Sequence, residues 1–321
     1  MQEITLDREK AGKVKSYLLN NHLNCSFKAL TTYIEYTETV FNVLGTNQKK
    51  MNFKNRKCYN HIFDVILAAI DYNTSTDNRE LEKNIVIAIL HDIGRGIEVV
   101  DMSSGTPTSQ NLGHTAIGLK YLFDDSLGKP NIHNFLTEDF TDEQTKNEIR
   151  KGIEFHSTRT FPDDLPLSIK GLVKNIRFYD KMAIMDQYIE PQIDYIIDIL
   201  NTTPEQFAEQ EITDELLSYF HDRKCLNRTE LHKHDAYNSM AQALSHIACI
   251  FDYSNDSRLF GHLETTNWVD RFTQRLPLEI MPVETQQRLA EIVDISKQYI
   301  KHKFPLTNYQ NHIQEILWHF L

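Results

Sequence analysis

The sequence predicts an all-α protein, and three observations carry that expectation. Apolar residues recur at three- and four-residue spacing in nearly every long segment, and alternating runs of strand type are hard to find. Short stretches rich in Gly, Pro, Ser, Thr, Asn or Asp separate the segments, as loops do. Taken in order, Ile62, Val65, Ile66, Ala69 and Ile70 form one helical stripe. Asn84–Leu90 reads as a buried helix, and Thr115–Phe123 as a helix that His114 opens. Ile149 and Ile153 lead to His156 at steps of four and three, on a helix beginning near Asp142. Leu172, Ile176 and Asp180 are spaced by fours on a helix over Leu167–Ile189, and Val293, Ser296 and Ile300 share a face of a late helix. Breaks are expected at Asn73–Asn78, Ser103–Gly113, Gly128–Asn134, Thr158–Pro166 and Pro191.

A chain of 321 residues is long enough to bury a core without disulfides or structural metals, in one domain or two. Its 40% apolar and 25% charged residues are those of a soluble globular protein. With 11 Gly and 9 Pro, collagen-like and low-complexity readings fail. The balance of 34 Lys and Arg against 45 Asp and Glu gives −11, which argues against general nucleic-acid binding, because that needs clustered positive charge. A local basic pocket is still allowed, and Lys49, Lys50, Lys54, Arg56 and Lys57 form a run without an acid just before His61. That run is either a solvated loop or a lip for an anionic substrate. Cys25, Cys58, Cys225 and Cys249 are scattered and never form a CxxC pair, so neither a disulfide framework nor a zinc finger is expected. No cationic start leads into an apolar core, and the most apolar stretch, Ile85–Leu90, is too short to cross a bilayer. A reducing cytoplasm and no membrane partner are the simplest expectations; self-association as a homo-oligomer is left open.

Three His-Asp dipeptides occur, His91-Asp92, His221-Asp222 and His234-Asp235. Only the first follows a buried-looking helix and precedes a glycine-containing stop, Ile93-Gly94-Arg95-Gly96. The other two lie in polar sequence and are expected to be exposed. Further histidines fall on other predicted helices: His61, His114 and His156. Asp180 sits on an apolar helical stripe, where a carboxylate is costly unless it is paired or holds a metal. Imidazoles and carboxylates converging from several helices suit Mn, Fe, Ni, Co or Zn better than Mg or Ca. The six residues could hold two such divalent ions if one carboxylate bridges, and a two-metal centre can stabilise an in-line displacement at phosphorus. No GxSxG is present, and Gly94-Arg-Gly96 lacks the spacing of a phosphate-cradling loop. His232, His234, His246 and His262 fit no zinc spacing and read as core or surface histidines.

These residues, in this order, resemble the HD-domain metal-dependent phosphohydrolase superfamily. Its signature of a distant His, then His-Asp, then a late Asp matches His61, His91-Asp92 and Asp180. Ala88-Ile-Leu-His-Asp-Ile-Gly-Arg95 is very close to the family's central helix and turn, and Ile176-Arg-Phe-Tyr-Asp-Lys-Met-Ala-Ile184 is similar to its last motif. His114, followed by Ile117, Gly118 and Leu122, resembles the His-Gly-Glu-Leu-Gly helix of members with two metals. His156, before Ser157-Thr-Arg-Thr-Phe-Pro162, matches another of their histidines. The resemblance covers about residues 55–190. It implies an HD-domain helical bundle as the metal-binding core over 55–194, to which continuing helical periodicity adds an N-terminal segment over 1–54 and a C-terminal extension over 195–321. It also implies that His61, His91 and Asp180 bind one ion and His114 and His156 a second, with Asp92 bridging.

The chain departs from the family's pattern at Ala116 and Ala183, where relatives carry carboxylates, and at Phe178 and Tyr179. The two alanines are expected to leave room for an anionic substrate. The activity implied is hydrolysis of a phosphoester or phosphoanhydride of a nucleotide-like small molecule by metal-activated hydroxide. Arg95 and Arg159 would contact phosphate, and Lys181 would contact substrate or pair with an acid. Two alternatives stay open. A few members with these six ligands resemble di-iron oxygenases, and a non-catalytic nucleotide sensor would use the same bundle.

Overall fold

Every described residue in regular structure is helical, as the apolar spacing predicts. The computed structural model describes residues 7–44, 53–96, 113–124, 131–158, 162–189, 202–227, 231, 238–252 and 256–303; the side chains of 41–44 and 53–59 are outside that description. The chain divides into two compact units, Met1–Ile184 and Met185–Leu321. Residues 190–201, where the sequence reading sets its second boundary, lie outside the described residues.

The first unit contains α1 (Arg8–Asn20), α2 (Asn24–Leu44), α3 (Phe53–Asp71), α4 (Asn78–Leu90), α5 (His114–Phe123), α6 (Ile132–Phe135), α7 (Glu143–Phe155) and most of α8 (Leu167–Ile189). Helix α4 is central. Asp77 caps it by accepting from the Arg79 N–H at 2.9 Å, and every residue from Leu81 to Leu90 is buried. A helix apolar on all sides over Ile85–Leu90 can only lie inside a bundle, and α2, α3 and α7 pack around it. Each fully buried aliphatic side chain there contributes about 1.5–3 kcal/mol before chain entropy is set against it.

Most polar groups on the buried part of α4 are matched, Asn84 Oδ1 being the exception among the described residues. Glu82 accepts from the Cys25 and Ser26 N–H groups at 2.8 and 3.2 Å, at the start of α2. Lys83 donates to Glu148 of α7 at 2.8 Å and pairs with Glu80. Asn84 donates to the Glu80 carbonyl at 3.0 Å. Helices α4 and α7 approach closely because Gly152 has no side chain: a Cβ there would sit 2.5 Å from Ile87 Cδ1. Their N-termini are joined by Arg79, which reaches Asp142 at 2.9 Å and Thr145 at 3.0 Å, while Asp142 caps α7.

One short helix lies inside an expected break. Helix α6 starts within Gly128–Asn134, capped by Asn131 accepting from the His133 N–H at 3.0 Å, and buries Ile132 and Phe135. Two apolar residues three apart are too few to register as periodicity.

The second unit holds the end of α8 and α9 (Pro204–Ala208), α10 (Asp214–His221), α11 (Ser239–Ala248), α12 (Ser257–Thr265), α13 (Trp268–Thr273) and α14 (Val283–Lys303). Thr203 and Gln206 form a reciprocal capping box at α9, with Pro204 in its first turn. Asn267 takes a left-handed φ of 50° between α12 and α13, a conformation Asn tolerates better than most residues. Trp268 is fully buried, stacks on Phe272 at 4.9 Å and donates to the Met185 carbonyl at 2.7 Å, the anchoring role its size suggests. Trp318 lies outside the described residues. Among the described residues, no helix is long and apolar enough to cross a membrane.

Candidate metal centre

Helix ends, not helix middles, aim most of the site. His91 is the C-cap of α4 and His156 the C-cap of α7, with nearly the same backbone angles, φ −57° and ψ −35° against φ −58° and ψ −36°. Each ring does the same thing. His91 Nδ1 donates to the Ala88 carbonyl and His156 Nδ1 donates to the Ile153 carbonyl, both at 2.7 Å and both three residues back. The last carbonyls of a helix lack intrahelical donors, so the imidazole satisfies one of them. A carbonyl only accepts, so Nδ1 carries a proton, and Nε2 is the nitrogen that can offer a lone pair to a cation.

His61 comes from α3 and Asp180 from α8, and His61 Nε2 lies 2.8 Å from Asp180 Oδ1. His91 Nε2 stands 3.5 Å from the same oxygen. His114 opens α5, with its Nε2 3.0 Å from Asp92 Oδ1, and His156 Nε2 is 3.7 Å from that atom. The six side chains expected from sequence therefore come together as two triads, His61–His91–Asp180 and Asp92–His114–His156, each with ligand atoms within 4.8 Å of one another. The triads adjoin: the His91 and His156 ring centroids are 5.1 Å apart. Asp92 spans them, its Oδ1 toward His114 and His156 and its Oδ2 3.9 Å from His91 Nε2.

His91 Nε2, Asp92 Oδ1 and His114 Nε2 are buried without a hydrogen bond among the described residues, even though His114 and Asp92 are in close range. Buried polar atoms are rarely left so, and atoms that converge on a common point without bonding each other are what a cation requires. Burial pushes the Asp92 carboxyl up, but the charges of His91 and Arg95, with the imidazoles of His114 and His156, outweigh it and hold it well below the usual carboxylate range. Asp180 is likewise raised by burial and lowered further by His61 and His91, ending well below that range. Burial lowers His61, but the Asp180 carboxylate prevails and the net shift is upward. A nitrogen-rich set with two anionic oxygens fits a transition metal better than Mg²⁺ or Ca²⁺.

Gly94 was expected to end α4 through a backbone conformation other residues avoid. The structure corrects that reason. Residues 93–96 form a further helical turn, and Gly94 matters through close approach: a Cβ there would sit 1.9 Å from the His114 carbonyl oxygen and 2.6 Å from the Gly118 nitrogen. The glycine lets the turn after Asp92 touch the backbone of α5 and so places His114.

Arg95 donates from Nε to Asp92 Oδ2 at 2.7 Å, with its side chain 23% exposed. Lys181 is half-buried on α8, next to Asp180. Arg159 lies outside the described residues, as do Lys49 and Lys50; Lys54, Arg56 and Lys57 open α3, with side chains outside the description. Ala116 is exposed on α5, whereas Ala183 is only 2% exposed, so the room it leaves is inside the fold. Sequence reading missed the ring-to-carbonyl tethers and the Arg95–Asp92 bond; a histidine at a helix C-terminus was the signal for the first.

No family model, curated protein or solved structure matches the chain.

Proposed function

We propose that the protein is a metal-dependent phosphohydrolase of the HD-domain type, cleaving a phosphoester or phosphoanhydride of a nucleotide-like small molecule. One observation carries the reading: two adjoining His/Asp triads with a single buried carboxylate, Asp92, turned toward both. His61, His91 and Asp180 would hold one divalent ion, His114 and His156 the other, and Asp92 would serve each. Such a pair of ions acidifies water and neutralises charge developing on phosphoryl oxygens.

The chain's own residues do the rest. The backbone tethers of His91 and His156 keep their Nε2 lone pairs in place, so little rearrangement is needed on binding. Arg95 brings a partly exposed guanidinium to the edge of the centre, suited to a non-reacting phosphate oxygen. Arg159 and Lys181 are proposed as further substrate contacts, on the sequence alone. Scattered cysteines and the lack of a membrane-spanning helix among the described residues fit a cytoplasmic enzyme.

Phosphate release from a broad panel of phosphoesters and phosphoanhydrides, with Mn²⁺ or Fe²⁺ supplied, tests the proposal. Turnover without oxygen uptake, equal in air and under nitrogen, is expected. Substrate-dependent oxygen uptake by an iron-loaded site, with no release by the manganese form, would transfer the assignment to a di-iron oxygenase.

A further inference from the structure

The two carboxylates of the centre are held differently. Among the described residues, Asp180 is held by imidazoles, His61 at 2.8 Å and His91 at 3.5 Å. Asp92 has a permanent cation on one oxygen: Arg95 Nε donates to Oδ2 at 2.7 Å, while Oδ1 faces His114 at 3.0 Å and His156 at 3.7 Å. The arginine is well braced for this. Its own N–H donates to the Asp92 carbonyl at 3.0 Å, and the turn carrying it is pressed against α5 at Gly94.

An aspartate carboxyl has a broad, shallow torsional preference about its last bond, so packing or bonding must fix its plane. Asp92 is 92% buried by complement of its 8% exposure, and a carboxylate so placed cannot rely on water to hold or neutralise it. From this we infer that Arg95 is a positioning residue for the metal centre. It sets the plane of Asp92 so that Oδ1 serves the His114–His156 side, and it supplies the counter-charge of the buried carboxylate when no ion does. The inference rests on the two-ion reading of the site. It concerns loading, and it is separate from the substrate contact proposed for the same guanidinium.

The direction of the effect follows. Without Arg95 the carboxylate is free to rotate, and the triad that depends on its Oδ1 loses most. Loss of an outer partner of a metal ligand typically weakens metal binding about 10–100-fold. The His61–His91–Asp180 triad keeps all its own ligands and should change little.

The test uses full-length protein stripped with chelator and titrated with Mn²⁺ by calorimetry, for the parent, Arg95→Met and Arg95→Lys. Arg95→Met should weaken one of two binding events about 10–100-fold and leave the other within about threefold, and Arg95→Lys should recover part of the loss. Thermal melting separates positioning from mere packing. Stripped Arg95→Met should fall further below stripped parent than the loaded variant falls below loaded parent, since only the stripped variant leaves Asp92 with neither the guanidinium nor an ion. Two parent binding events, both unchanged or equally weakened in Arg95→Met, would overturn the inference alone, as would an equal melting loss in both states. Fewer than two events in the parent would overturn the two-ion reading and this inference with it.

Discussion

Histidine and acid meet in both units of the molecule, with different outcomes. In the second unit three described histidines each have a partner of their own: His262 Nε2 lies 2.6 Å from Asp186, His246 Nε2 lies 2.9 Å from the Tyr188 hydroxyl, and His221 meets Glu291 at 3.1 Å. In the first unit the nitrogens are turned toward shared carboxylates, and three of the site's atoms find no hydrogen bond among the described residues. Composition is similar and placement is not. His91 and His156 spend Nδ1 on their own helix ends, which leaves Nε2 to face the bundle interior, whereas His221 is 52% exposed beside an equally exposed Asp222 at 57%. A cluster becomes a candidate site when local bonds fix rings such as His91 and His156 by one nitrogen and burial denies the other nitrogen water.

The largest expected effect breaks that contrast at Asp92. Purified protein should hold about two transition-metal ions per chain, His114→Ala about one, and Asp92→Ala close to none, because only Asp92 faces both triads. His262→Ala should leave the content at the parent level. Metal analysis by mass spectrometry reads all four proteins. Equal content in the parent, His114→Ala and Asp92→Ala would remove the distinction between the units.

Gly94→Ala comes next. Its Cβ would meet backbone, the His114 carbonyl oxygen at 1.9 Å, so α5 itself must move. The cost should be about 3 kcal/mol, the upper range for overpacking, with selective loss of the ion at His114 and His156. At Gly152 the obstacle is the Ile87 side chain and no backbone, Cδ1 at 2.5 Å with Cγ1 and Cγ2 at 3.1 and 3.2 Å, and Gly152→Ala should cost less, about 1–2 kcal/mol, and leave both ions bound. Urea unfolding together with metal analysis tests the pair, and equal behaviour of the two variants would show that the close approach at Gly94 does not place His114.

How much of this was legible beforehand depends on what each signal costs the chain. The helices were readable because burial of an apolar stripe must repeat along a helix, and α4 and α8 show it plainly. Five of the six gathered residues could be read from histidines and a His-Asp pair at the ends or starts of such stripes, and Asp180 from the penalty of a carboxylate on an apolar face. Arg95 was readable as a cation near the site, but its bond to Asp92 depends on how residues 93–96 coil, which spacing does not reveal. Gly94 was marked for the wrong reason, because sequence shows that a side chain is missing and not which neighbour needs the space. Helix α6 was hidden by its length.

Lys83 offers a pH-dependent contrast within the first unit, away from the centre. Burial lowers its pKa, but Glu148 and Glu80 raise it more, so the net shift is above the ordinary lysine value. A raised lysine pKa means the pair's contribution is whole at and below the unfolded value and disappears as pH rises through the folded one. Lys83→Met should therefore cost about 3 kcal/mol across pH 7–9, by leaving Glu148 buried without its cation, and the difference from the parent should narrow above about pH 10.5. Gln144 and Ser168 also reach Glu148, at 3.2 and 3.5 Å, which keeps the penalty at the lower end for a broken buried pair. Unfolding free energies measured against pH would show a constant difference if the ion pair were not its source.

The smallest effect belongs to the second unit's own pair, and it tests the comparison from the other side. Asp186 is 47% exposed and bonds His262, which is 11% exposed. Solvent screens a half-open carboxylate, and neither residue belongs to a group of three or more potential ligands among the described residues. Asp186→Asn keeps an oxygen that can accept from the imidazole, so its cost should stay below about 1 kcal/mol, with metal content unchanged. Asp180→Asn makes the same chemical change on the same helix, six positions earlier. There the carboxylate faces two imidazoles inside the bundle, and the charge is what a cation would need; loss of about one ion is expected. Side-by-side metal analysis and melting of these two variants isolates placement from residue type. Metal loss from Asp186→Asn as large as that from Asp180→Asn would mean that the second unit also takes part in holding metal, and the contrast between the units would have to be abandoned.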